Sequence, residues 1–144
     1  ADIRVLALGI ATEKVKNLVD KYSQECEIMF EKPFNEYNKH WYSIADKVPA
    51  HIKENYNFHD CQILKISKDG NDIVFELDNS GGFTNINKII YKDAEILENN
   101  FTEGCYWVYD EMYLCDKGYE FHIAVDGENG YDYITLQASD VIFE

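Results

Sequence analysis

The chain has 144 residues, 46% of them hydrophobic, and a formal net charge of −14. That is enough apolar material for one domain with a real core, and it excludes an intrinsically disordered chain. No apolar run approaches the roughly 18 residues that a membrane-crossing helix needs, so a soluble, cytoplasmic protein with no signal peptide and no membrane partner is expected.

The opening "DIRVLAL" ends at Gly9, a plausible C-cap, and reads as the tail of a short helix, with a strand as the alternative. From Thr12, placed to cap a first turn, Val15, Leu18, Val19, Tyr22, Cys26, Met29 and Phe30 recur at helical spacing. The pattern predicts a helix from about 12 to beyond 30, kinked or interrupted at Pro33. Tyr37, Trp41, Ile44, Ala45 and Val48 then resume the stripe as far as Pro49.

From Phe58 the apolar period changes to two, and seven of the eight glycines lie beyond this point. Strands are expected near 61–67, 72–78, 86–92, 94–98, 105–115, 119–126, 131–137 and 140–143, joined by "KDGND", "NSGG", "DKG", "DGENG" and "ASD". The expected fold is therefore α+β: a long, kinked N-terminal helix packed on a curved antiparallel sheet or meander of about seven to eight strands. Residues 1–57 form the helical part and 58–144 the sheet, in one cooperative unit. The chain starts on Ala1 rather than Met, which suggests a piece of a longer protein.

Charge follows the same boundary. Residues 1–57 carry 8 basic and 9 acidic groups and residues 58–144 carry 5 and 18, so 13 of the 14 net negative charges lie in the sheet part. A field of this sign repels phosphate backbones, which argues against nucleic acid and for a basic protein partner. The bland counterpart is that the acidity only keeps an aromatic-rich surface soluble. Cys26, Cys61, Cys105 and Cys115 show no C-x-x-C pair and no zinc-type spacing, so they read as reduced, buried thiols, with no metal and no cofactor implied.

The hairpin "WVYDEMYLCDKGYEFHIAV" at 107–125 mixes aromatics with carboxylates and a histidine. A two-residue Lys117-Gly118 turn would set Leu114 opposite Phe121 and Met112 opposite Ile123. Val108, Met112, Leu114, Phe121, Ile123 and Val125 would then form the core face. The other face would carry Trp107, Tyr109, Glu111, Tyr113, Cys115, Glu120, His122 and Ala124, with His122 opposite Tyr113 and diagonal to Glu111.

"NFHD" at 57–60, "LDNSGGF" at 77–83, "WVYDEMY" at 107–113 and "YEFHIAV" at 119–125, with the upstream "RVLALGIAT", resemble a family of uncharacterised proteins of Gram-positive bacteria, a domain of unknown function. The resemblance implies no established activity, cofactor or catalytic residue, and it implies more chain at the N-terminus.

The binding candidates are His59, Asp60, Tyr109, Glu111, Tyr113, Glu120 and His122. His59-Asp60 offers an acid/base pair or metal ligands, or simply a turn fixed by hydrogen bonding to backbone. Glu111 with His122 offers a carboxylate-imidazole pair, or a plain cross-strand ion pair. The chain has no G-x-S-x-G elbow, no H-E-x-x-H and no phosphate loop, since "NSGGF" lacks the lysine and following helix. The leading reading is an acidic protein-binding module, of which neutralising a basic toxin is one version. A metal-dependent or acid/base enzyme using His59, Asp60, Glu111 and His122, and an accessory domain of a longer protein, are the alternatives.

Overall fold

The computed structural model describes residues 13–26, 32–128 and 130–144. The expected element ending at Gly9, the Thr12 cap, Met29 and Phe30 lie outside them. The chain divides into two compact units, residues 1–40 and 41–144.

The helices are short: α1 (Glu13–Cys26), α2 (Lys32–Ile44) and α3 (Ala50–Asn55), with a 3-10 turn at Ala45–Lys47. Among the described residues no long kinked helix is shown: α1 and α2 are separate short helices, and each proline sits at a helix start. Pro33 falls in the first turn of α2, where a missing N–H removes no intrahelical bond, so it starts a helix rather than kinking one. Pro49 is the N-cap residue of α3.

Eight strands follow: β1 (Gln62–Asp69), β2 (Asp72–Asp78), β3 (Lys88–Lys92), β4 (Glu95–Asn99), β5 (Cys105–Cys115), β6 (Gly118–Gly127), β7 (Gly130–Ala138) and β8 (Asp140–Phe143). All their pairings are antiparallel, in the order β4-β7-β6-β5-β1-β2-β3-β8. This is the expected antiparallel sheet of an α+β fold, strand for strand.

Its curvature comes from two corners. β3 pairs with β8 while β4 pairs with β7, and the Ser139 N–H donates to the Lys92 carbonyl between them, at 2.9 Å. β3 and β4 are thus two halves of one bent strand, as are β7 and β8. The two end strands are joined through the chain itself, and the pairings run in a ring.

The core lies inside that ring; it is mainly aliphatic, with Phe58, Phe75, Tyr91, Trp107 and Phe121 as its buried aromatics. Tyr56 packs its ring 5.0 Å from Phe121, 5.3 Å from Phe58 and 5.8 Å from Trp107, while Tyr91 stands 5.0 Å from Phe75. The Tyr56 and Tyr91 hydroxyls meet at 2.8 Å, so each phenol keeps a polar partner in an apolar setting. Ile44, Val48 and Ile52, from the end of α2 through α3, are buried in the same cluster. Cys61 and Cys105 are buried free thiols and Cys115 is half-buried.

Candidate functional site

The β5-β6 hairpin turns at Asp116-Lys117 rather than Lys117-Gly118, pairing Cys115 with Gly118, Met112 with Phe121 and Glu111 directly with His122. The physical reason is Gly118. Its φ is +140°, and a Cβ there would meet the Ala138 carbonyl oxygen of β7 at 2.9 Å, so the glycine is needed on the strand beside β7 and not in the turn. The shift is even, so most residues keep the expected face.

Trp107 does not. A bulge between Trp107 and Tyr109 adds one residue to β5 and turns Trp107 inward, where it is wholly buried against Tyr56, Phe58 and Phe75. Val108 at the bulge is half-buried and Leu114, near the hairpin tip, is exposed, so neither belongs to the core cluster.

On the outer face of β4, β7, β6 and β5 the register writes three rows. Tyr109, Ala124 and Tyr133 form the first; Glu111, His122, Thr135 and Glu98 the second; Tyr113, Glu120, Gln137 and Glu95 the third. Asp126 and Tyr131 pair just beyond. No lysine or arginine occurs in these rows.

The side chains within them are bonded to one another. Tyr109 and Tyr113 donate their hydroxyls to Glu111 Oε1 and Oε2, at 2.9 and 2.5 Å. His122 Nε2 lies 2.7 Å from Glu120 Oε1, and Gln137 Nε2 donates to Glu120 Oε2 at 2.6 Å. The amide of Gln137, and secondarily His122, hold the Glu120 carboxyl below its ordinary pKa. The Tyr113 and His122 rings are 5.0 Å apart. Tyr109, Glu111, Tyr113, Glu120 and His122 are thus brought together. Tyr131 and Tyr133, 64% and 50% exposed, extend the same surface and were not singled out in the sequence.

His59 and Asp60 lie elsewhere, in the turn before β1. His59 Nδ1 is 3.0 Å from Asp60 Oδ2, and both side chains are about half exposed. Asp60 adopts φ +68° and its backbone N–H donates to the Trp107 carbonyl, while the two side chains face each other. The "NSGG" loop closes over this turn: a Cβ on Gly82 would stand 2.5 Å from Cys61 Sγ, so only glycine fits there. "NFHD", "NSGG" and the start of "WVYDE" thus meet at one corner of the molecule.

That corner contains a group missing from the sequence-based candidates, Asp110. It takes a hydrogen bond from Trp107 Nε1 at 2.9 Å. Burial pushes its carboxyl up to about 6, against the pull of that bond and of His59, while Glu111 adds to the push. The signal was present in the sequence: Asp110 occupies a core-parity position of β5, where an acid has no reason to be unless it has a partner.

Among the described residues no group of three or more His, Cys, Asp or Glu side chains is placed to hold a metal ion. Two clefts are distinct from both places. One of about 400 Å³ is bordered by Ile66, Ile73, Ala94 and Ile96, and one of about 330 Å³ by His51, Asp140 and Phe143. Among the described residues no helix is long and apolar enough to cross a membrane.

An α+β protein whose antiparallel sheet presents a tyrosine- and carboxylate-rich outer face is the class these features define. Over residues 6–134 the chain matches the family described as Protein of unknown function (DUF4085), and it belongs to that family. No curated protein and no solved structure matches it.

Proposed function

We propose that this protein is an acidic binding module that engages a basic protein through the outer face of β4, β7, β6 and β5. The observation that carries the reading is the composition of that face: Tyr109, Tyr113, Tyr131 and Tyr133 share it with Glu95, Glu98, Glu111, Glu120 and Asp126, and no lysine or arginine lies in its rows. Tyrosine supplies large contact area at low entropic cost, and uncompensated carboxylates steer a cationic partner.

The distribution of the cations supports it. Lys88 pairs with Glu144 and Lys92 with Asp72, Lys117 at the β5-β6 turn lies 4.0 Å from Asp93, and Lys65 and Lys68 are on β1, so none of the five stands in the rows of the face. The acidity of the face is therefore a local property and not only an average over the chain.

The test is association with a lysine- and arginine-rich probe protein at increasing ionic strength. The on-rate should fall steeply as the Debye length drops below about 8 Å, and Glu98→Lys with Glu120→Lys should slow it without unfolding the chain. Association indifferent to both salt and reversal would sink the proposal.

A second reading, an acid/base enzyme, is favoured by one observation: Asp110, bonded to Trp107 Nε1 in a corner beside His59, has its carboxyl pushed up to about 6 by burial. The two readings separate because Asp110→Asn leaves binding of the cationic probe unchanged under the first.

A further inference from the structure

On the outer face Glu111 is the carboxylate held by two tyrosines. Each of its oxygens accepts one tyrosine hydroxyl, from Tyr109 at 2.9 Å and Tyr113 at 2.5 Å, and each keeps a further lone pair. The three residues share one side of β5, so the carboxylate stands between two phenol rings. Directly across from it is His122, and no lysine or arginine crosses its row.

We infer that Glu111, with Tyr109 and Tyr113, forms an arginine-reading position, which takes a guanidinium group of the basic partner in preference to a lysine ammonium. The inference rests on the acidic-face reading and refines it. A guanidinium is planar and presents parallel N–H donors that match both oxygens of a carboxylate, and its weakly hydrated faces stack on tyrosine rings. An ammonium is a strongly hydrated point charge that gains attraction from Glu111 but nothing from the fixed plane of the carboxylate. Because the two hydroxyls already hold that plane, little side-chain freedom is lost when the ligand arrives.

The probes are hexa-arginine and hexa-lysine, which carry equal charge, titrated into the full chain while the side-chain and amide signals of β5 and β6 are followed by NMR. Hexa-arginine should bind about tenfold tighter, with its largest shifts at Tyr109, Glu111 and Tyr113. Glu111→Gln should erase most of that preference. Tyr109→Phe with Tyr113→Phe, which keeps both rings and frees the carboxylate, should reduce it. Equal, salt-sensitive binding of the two peptides overturns the arginine position and leaves the acidic face standing. Binding of neither peptide overturns both. An arginine preference that persists undiminished in Glu111→Gln places the selectivity elsewhere and also overturns the inference.

Discussion

Asp110 shows what a single residue does when the backbone commits it to the wrong medium. The alternation of β5 turns its carboxyl toward Trp107, and desolvation raises its pKa from 3.8 to about 6. Because the folded-state value is raised, the stability this acid contributes is complete below the unfolded pKa near 4 and is lost as pH rises through about 6. The two-unit gap corresponds to roughly 3 kcal/mol, of which water reaching the partly exposed residue recovers some. Asp110→Asn keeps an acceptor for the Trp107 indole N–H and removes the charge. It should therefore stabilise the protein at pH 7 to 8 by about 1–3 kcal/mol and flatten the fall in stability between pH 4 and 6, read by denaturant unfolding across that range. Glu120, whose carboxyl is held low, works with the opposite sign, its contribution being lost as pH falls, so the comparison must be made between variant and parent. An Asn variant less stable than the parent at pH 8 would show that the carboxylate is compensated by a partner other than Trp107.

At the scale of elements, period-two alternation was enough to locate every strand to within about two residues, because each strand has one face in the core and one outside. Two things were not legible. The bulge at Trp107 adds a residue without any marker in the local sequence, and it alone decides that the tryptophan is core and not surface. The turn was misplaced because a glycine next to a lysine looks like turn chemistry, whereas Gly118 answers to a neighbour distant in sequence, the Ala138 carbonyl. The candidate site fared better: Tyr109, Glu111, Tyr113, Glu120 and His122 share a face in either register, since the two differ by an even number of residues. Gly118→Ala tests the assignment. With φ at +140° and the added Cβ at 2.9 Å from a backbone oxygen, it should cost at least about 1–3 kcal/mol in thermal or denaturant unfolding. Lys117→Gly, in the turn itself, should change stability by less than about 1 kcal/mol.

For the whole molecule, composition and packing draw different lines. Period and charge change at Phe58, but the compact unit containing the sheet begins at Trp41. The difference is physical: Ile44, Val48 and Ile52 belong to helices by their local pattern and to the sheet's core by what they bury. Tyr56 makes ring contacts with Phe58, Trp107, Phe121 and Phe143 together with a hydroxyl bond to Tyr91. A chain of residues 58–144 would lose all of them. Emptying each buried aliphatic position costs about 2–4 kcal/mol, and a domain of this size has only about 5–15 kcal/mol in total. Residues 41–144 expressed alone should therefore unfold in one cooperative transition with dispersed tyrosine and tryptophan signals. Residues 58–144 should show non-cooperative melting and bind a hydrophobic dye, because Trp107 and Phe121 lose their cover. Equal stability of the two fragments would mean that the sheet closes its core without α3 and Tyr56, and would return the boundary to Phe58.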